Sequence, residues 1–548
     1  MFKWFQSGSP WIWLTGGAVS ISLISVLGLL LFIGWKGLTY FWPTPLYQWQ
    51  TQEGQALVGQ LYSEENVPLT HLRALDITWP KAILDAGEVK RLSIKVANRE
   101  RNHADFVSIL DVKLSDKQMP SGWAVIERKS NGQFYGKPIA YVQTDGSESS
   151  DVQTMLAAGM QDVALLREQI DDVIDQEIRV IGFAAEKLRL EKRRKELNGK
   201  LERTYLDHYF HKKQDLDSQL AIAEQKLDAL RQQMNGPSLI VEEMSGQRVA
   251  IPLSQILDIW YPNDMTLGQK LVQWGKQVWL FLSEEPRESN SEGGVFPAIF
   301  GTVLLVLLMS IIVMPLGVVA AIYLHEYAKE NLFTRIIRVA VINLAGVPSI
   351  VYGVFGLGFF VYTIGSSIDT LLYSERLPAP TFGTPGLLWS ALTLAVLTLP
   401  VVIVTTEEGL TRIPSAVRHG SLALGATHFE TIWRIVLPMA SPAIITGLIL
   451  AIARAAGEVA PLMLVGVVKL ASSLPVDGEF PFVHLERKFM HLGFHIYDVG
   501  FQTTNIEAAR PLVYATSFLL VTVIVALNLT AISIRNNLRE KYRTLGQD

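Results

Sequence analysis

Ile413-Pro414-Ser415-Ala416-Val417-Arg418-His419-Gly420-Ser421-Leu422-Ala423-Leu424-Gly425-Ala426-Thr427 lies between two long apolar runs, and its reading decides the fold. Pro414 followed by Ser415 starts a helix, and Gly425 stops it by entering the left-handed conformation that glycine adopts without a Cβ clash. A second short helix is expected to run on through Trp433-Arg434-Ile435-Val436-Leu437-Pro438. The pattern over 406–440 therefore predicts two short helices parallel to a membrane, continuous with a span on either side. Such a bracket is built to pass a push from a cytosolic partner into the bilayer.

The composition agrees with a membrane setting. The 548 residues are 49% hydrophobic and only 18% charged, too apolar for a wholly soluble chain. Six stretches, near 11–35, 297–324, 340–364, 387–405, 442–466 and 511–533, have the length needed to cross the membrane. About 30 Å of hydrocarbon takes roughly 20 helical residues. The first stretch exceeds the short apolar core of a secretion signal and no small-x-small cleavage site follows it, so it is read as an anchor, 1–40. Trp11, Trp13, Trp35, Tyr40 and Trp42 bracket it, as aromatic rings favour the headgroup zone. A formal net charge of -4 argues against nucleic acid as the main partner, which would need a concentrated basic face. With no cysteine there is no disulfide, thiolate metal site or cysteine nucleophile.

Basic residues near span ends stay cytosolic. Lys3, Lys329, Arg335, Arg338, Arg412, Arg418, Arg434, Arg535, Arg539, Lys541 and Arg543 all fall on one side, against Arg376, Lys469, Arg487 and Lys488 in the short opposite loops. Both termini are therefore expected in the cytoplasm, with about 40–295 outside.

Within that outer segment, 41–290, the alternation of Leu92, Ile94 and Val96 with Ser93 and Lys95 predicts a strand. Asn131-Gly132 predicts a hairpin turn, and Val249, Ile251 and Leu253 continue the sheet after residue 237. A small β module over 55–150 and 237–262 is thus interrupted by an insertion. Over about 155–235 apolar residues step by three and four: Val163, Leu166, Ile170, Val173, and then Leu220, Ala223, Leu227, Leu230, Met234. This spacing predicts a coiled-coil helical hairpin, turning at Asn198-Gly199 or in the polar stretch from His208 to Gln214. A rigid spacer and a docking arm for a partner are both compatible with it.

The small-small-x-Leu-Gly core around Gly425, followed by Leu437-Pro438, resembles the coupling loop of bacterial ABC importer permeases. Further matches narrow the resemblance to the phosphate importer permease of the PstA type. They are Gly293-Gly294-Val295-Phe296-Pro297-Ala298-Ile299, Pro315-Leu316-Gly317, Ile322-Tyr323-Leu324, Val347-Pro348-Ser349-Ile350-Val351 and Ala453-Arg454-Ala455-Ala456-Gly457-Glu458-Val459-Ala460-Pro461. The resemblance covers about 290–535, and segment 40–290 is similar to the extra domain of a long-form subset. It implies an α-helical membrane protein with six transmembrane helices, a permease core over 291–540, and a periplasmic α+β insertion between spans one and two. The implied setting is the bacterial inner membrane. The implied partners are a second permease subunit (PstC-like), an ATPase dimer (PstB-like), a periplasmic phosphate-binding protein (PstS-like) and membrane lipid, with no cofactor. Arg418, His419, Gly420, Ser421 and Gly425 are implied to meet the ATPase. Two departures stand out: His419-Gly420-Ser421 replaces the family's Glu-Ala-Ala, and Val404 stands where a basic residue is expected ahead of Thr405-Thr406-Glu407-Glu408. No GxxxxGK[ST] loop is present, so ATP hydrolysis is assigned to a separate subunit and the chain is not read as an enzyme.

Arg454 and Glu458 fall inside the stretch 442–466, one helical turn apart. Charge at that depth costs about 2.5–3.5 kcal/mol, so both are expected to face protein or a water-filled path. They are read as a structural ion pair or as a transient anion site, where Arg454 offers a planar donor fork and Glu458 releases it or accepts a proton. His484, His491 and His495 are read as an amphipathic outer surface, and no metal is assigned. Glu407 and Glu408 are read as a solvated helix start. The functional reading is ATP-driven phosphate import by alternating access. Its rivals are import of another oxyanion, such as sulfate or molybdate, and a membrane receptor or signalling scaffold.

Overall fold

A computed structural model describes residues 9–544 apart from 53, 73–78, 80, 103, 116, 288–291 and 504–505. Lys3 and the side chains of Arg539, Lys541 and Arg543, used above for orientation, lie outside the described residues. The chain divides into two compact units, Met1–Tyr40 with Leu280–Asp548, and Phe41–Trp279.

In the first unit, among the described residues, six helices are long and apolar enough to cross a membrane. They are Trp11–Thr39, Phe296–Tyr327, Ser349–Leu372, Leu387–Thr411, His428–Gly457 and Ala509–Asn537, called spans one to six below. Two differ from the expected stretches. The run 340–364 is not one helix: Leu332–Leu344 is a separate helix, capped by Asn331, and span three begins only at Ser349. Pro348 disfavours helical backbone at the residue before it, which breaks a run that looks continuous by hydropathy alone. Span five starts and ends earlier than 442–466. His428–Thr431 flows through a wide turn, Ile432–Val436, into Leu437–Gly457, so the second short helix is not separate but the beginning of the span. The wide turn lets Leu437 N–H reach Ile432 O just ahead of Pro438, which lacks a donor of its own.

Spans two, four and five share the central core, where Leu305, Met309, Val313, Leu394, Val402, Ala451 and Ala455 are buried together. Without a hydrophobic drive between helices in lipid, small residues let backbones approach and gain dispersion contacts. A Cβ on Gly447 would overlap Thr405 Oγ1, one on Gly409 would overlap Ala443, and one on Gly317 would press on Val402. Gly353 and Gly356 of span three approach Pro461 and Thr393 in the same way. Span one lies against span six, with Gly37 against the backbone of Ala515 and Phe32 edge-on to Tyr514.

The second unit holds two sheets rather than a single small module, and its first strand precedes residue 55. One sheet runs β1 (Tyr47–Gln50), β2 (Ala56–Pro68), β3 (Glu88–Lys95), β4 (Phe106–Leu110) in spatial order. The other joins β5 (Ala124–Arg128), β6 (Gln133–Val142), β7 (Glu148–Ser149), β8 (Ser238–Glu242), β9 (Arg248–Pro252) and β10 (Ile256–Trp260), in the order β10-β5-β6-β8-β9 with β7 on β6. Asn131 and Gly132 both take positive φ, 64° and 69°, turning β5 into β6. Between β7 and β8 the chain rises along Val152–Leu197, turns at Asn198-Gly199 with Gly199 at φ 67°, and returns along Arg203–Met234. The alternative turn at 208–214 lies inside that returning helix. Ile170, Val173 and Leu227 form one buried seam of the hairpin, Leu188, Tyr209 and Leu216 another.

Gly447→Leu is expected to lower the thermal unfolding midpoint of detergent-purified protein by about 5 °C, the scale of overpacking a tight helix contact. Gly28→Leu, where nothing lies within 4 Å, should leave it unchanged.

Candidate functional site

The helix predicted after Pro414 spans Ser415–Ala423, and Gly425 follows it at φ 89°. Thr427 then opens span five with a capping box, its hydroxyl accepting from Glu430 N–H while the Glu430 carboxylate accepts from Thr427 N–H. His419, Gly420 and Gly425 are exposed, whereas Ser421 is buried with its hydroxyl 2.8 Å from that of Thr431. Arg418 turns inward. Its Nη1 donates to Ile413 O at 2.8 Å, its Nη2 to Leu410 O at 2.9 Å, and its Nε and Nη2 to Glu326 Oε1 at 3.2 and 2.9 Å. Glu326 belongs to the wide turn Tyr323–Tyr327 that ends span two.

Glu407 and Glu408 lie in the last turns of span four, not at a helix start. Glu407 pairs with Arg338 at 2.9 Å, and Arg338 also donates to Leu324 O at 3.0 Å. A cleft of about 270 Å³ opens there, lined by Arg338, Val341, Ile403, Val404 and Glu407 among others. Arg338, from the helix Leu332–Leu344, thus places a basic group beside the Thr405–Glu408 stretch even though Val404 itself is not basic. Sequence reasoning missed Glu326 and used Arg338 only for orientation, because both act across long separations that leave no local spacing.

Arg454 stands in the last turn of span five rather than near its middle, and Glu458 is outside the helix with extended backbone, φ -78° and ψ 133°. The two still pair, Nε to Oε1 at 3.7 Å, both partly buried. Among the described residues the Arg454 side chain makes no hydrogen bond, so its donor fork is open. Just beyond, Val459 packs against Gly493.

The histidines are not an outer amphipathic surface. His484 is held by Asp477 at 2.8 Å and Glu486 at 3.4 Å. His491 caps the helix Leu492–Phe501, its Nδ1 accepting from Gly493 N–H at 3.1 Å, and both His491 and His495 are buried. Among the described residues His491 Nε2 and both ring nitrogens of His495 have no hydrogen-bond partner. With Nδ1 accepting, neutral His491 carries its proton on Nε2, which removes that atom as a metal ligand. Among the described residues no three His, Cys, Asp or Glu side chains are grouped to hold a metal. Burial pulls His491 down to about 4. Burial does the same to His495, also to about 4, with Asp498 opposing the shift and Lys469 adding to it.

A bundle of spans sealed by glycine contacts, with a short helix clipped to the ends of spans two and four, defines the membrane-embedded permease half of a transporter. Residues 313–544 match the family of binding-protein-dependent transport system inner membrane components. The chain is 34% identical over 245 residues to the phosphate transport system permease protein PstA 1 of Mycobacterium tuberculosis (strain CDC 1551 / Oshkosh), covering 44% of this chain and 71% of that one. It is 36% identical over 189 residues to PstA of Yersinia pestis, 34% of this chain and 58% of that one. To the probable ABC transporter permease protein YqgH of Bacillus subtilis (strain 168) it is 32% identical over 198 residues, 36% and 60% of the two chains. Among solved structures, the inward-facing MetNI methionine ABC transporter superposes with a TM-score of 0.33 at 17% identity, over 50% of this chain and 99% of that one. The chain belongs to the ABC importer permease family, as a permease of the PstA type.

Folding holds both histidines neutral, so their contribution is full above the unfolded value of about 6.5 and is lost as pH falls towards about 4. The unfolding midpoint should therefore drop between pH 7.5 and pH 5. A His491→Asn, His495→Leu variant, which keeps a capping side chain, should show a shallower drop in the same melting series.

Proposed function

We propose that this permease carries inorganic phosphate into the cytoplasm by alternating access, powered by a separate ATPase. The reading places the chain in the bacterial inner membrane with both termini cytoplasmic and about 40–295 in the periplasm, in keeping with the basic residues at the span ends. A second, PstC-like permease completes the path, a PstB-like ATPase dimer drives it, and a PstS-like binding protein delivers the anion.

The observation that carries the substrate assignment is the pair at the end of span five. Arg454 presents a planar cation whose donors are unspent, 3.7 Å from a carboxylate that can hold it or let it go. A phosphate oxygen arriving at the guanidinium would compete directly with Glu458, so binding and release are set by one exchange of partners. Two relatives named as phosphate permeases share this chain's family, which favours phosphate over other oxyanions. On the ATPase side, the exposed residues of the short helix are Ser415, Ala416, His419, Gly420, Leu422 and Ala423, followed just past it by Leu424, and none of them is acidic. Contact there would draw on apolar burial instead of the family's charge.

Vesicles containing this chain, its partner permease, the ATPase and the binding protein should take up labelled phosphate in an ATP-dependent manner, with sulfate and molybdate competing poorly. Glu458→Gln should assemble normally yet lower uptake about tenfold, roughly 1.4 kcal/mol, as Arg454 loses the counter-ion that competes with the anion for it. Uptake indistinguishable from the parent would remove Glu458 from the path.

A further inference from the structure

We propose that Glu326 is a positioning residue that makes the end of span two travel with the short helix Ser415–Ala423, so that the driving stroke reaches a span to which the helix is not directly joined in sequence. The proposal rests on reading that helix as the contact for the ATPase.

Chain connectivity joins the helix only to spans four and five. Arg418 adds a third connection. Its guanidinium is 18% exposed and is shared among the helix that carries it, the carbonyls of Leu410 and Ile413 at the end of span four, and Glu326 at the end of span two. Glu326 is 8% exposed, and its Oε1 also lies 3.1 Å from His325 Nδ1. Desolvated opposite charges held in this way resist separation, because parting them leaves each one buried without its counter-ion. The neighbouring Tyr327 ring stands 5.3 Å from that of His428, at the start of span five. The ends of spans two, four and five are thereby clipped to one another and to the helix.

Glu326 is not what folds span two. The middle of that span is held by Leu305, Met309 and Val313 in the shared core and by Gly317 against Val402. Removing the carboxylate should leave the bundle assembled while freeing the end of span two to lag behind the helix.

The chain contains no cysteine, so a pair introduced at the exposed positions Glu330 and Ala416 can be spin-labelled uniquely in this subunit. In the complete transporter in nanodiscs, the label separation should be the same with and without trapped nucleotide. In a Glu326→Gln background the two states should separate. ATP hydrolysed per substrate carried should then rise about fivefold, the lower end of site-to-site coupling effects. Glu326→Asp, which keeps the charge, should restore coupling at least in part. A parent separation that changes between states, or full coupling in Glu326→Gln, would overturn the proposal. Should Glu326→Gln fail to assemble, Arg418→Lys reads the same link, since a point charge cannot fork between a carboxylate and two carbonyls; full coupling there would also overturn it. The label separation does not depend on which anion is carried, so a failure of the phosphate assignment leaves this result standing. An ATPase that does not co-purify with the permease would count against the docking reading, and the proposal with it.

Discussion

A helix that stops at a membrane boundary leaves its last carbonyls without intrahelical donors, and hydrocarbon offers none. In span four the carbonyl of Leu410, which also accepts from Ile413 N–H at 3.3 Å, and that of Ile413 just past the helix end are met by the guanidinium of Arg418, which comes back from the short helix that follows. The rest of the lever depends on this. Because the donor belongs to the short helix, the cap holds that helix at a set place beneath the bundle. Because the donor is an arginine, it has spare N–H groups and a charge, and Glu326 of span two uses both. A lysine or a water could cap the carbonyls without joining a second span.

Much of this architecture was legible in the chain. Long apolar runs located four of the six spans within a few residues, and Gly425, Gly199 and the Asn131-Gly132 pair sit where positive φ is required. These are local signals, each carried by the conformational limits of one or two residues. What hydropathy hides is a break or an entrance. Pro348 splits a run that stays apolar on both sides, and the beginning of span five is disguised by His428, Glu430 and Arg434. The ion pairs Glu326–Arg418 and Arg338–Glu407 were illegible for a different reason. Their partners meet because helices pack, and no periodicity connects residues 92 positions apart, as Glu326 and Arg418 are, or those in the similarly distant pair Arg338–Glu407.

The shifted ends of span five change the energetics of Arg454. In the middle of a span its charge would face the full cost of depth, whereas in the last helical turn it lies nearer the boundary and beside carbonyls whose dipole favours a cation. Glu458, already off the helix, is not fixed by the helical repeat and approaches by way of extended backbone. The pair is therefore held at 3.7 Å, near enough for Coulomb attraction and too far for a hydrogen bond.

The departure at His419-Gly420-Ser421 then fits the same logic of what each group is free to do. Ser421 is committed to Thr431 and Arg418 to the capping described above, so neither side chain can serve a partner without breaking the lever. The open side holds Ser415, Ala416, His419, Gly420, Ala423 and the leucines 422 and 424, the last of them 91% exposed. Burying one such leucine side chain is worth about 1.5–3 kcal/mol, comparable with a hydrogen bond to a charged group. A groove that accepts Leu424 could thus replace an acidic contact without loss of grip. Such a contact would respond little to ionic strength, because its driving force is the removal of apolar surface from water and not the pairing of screened charges.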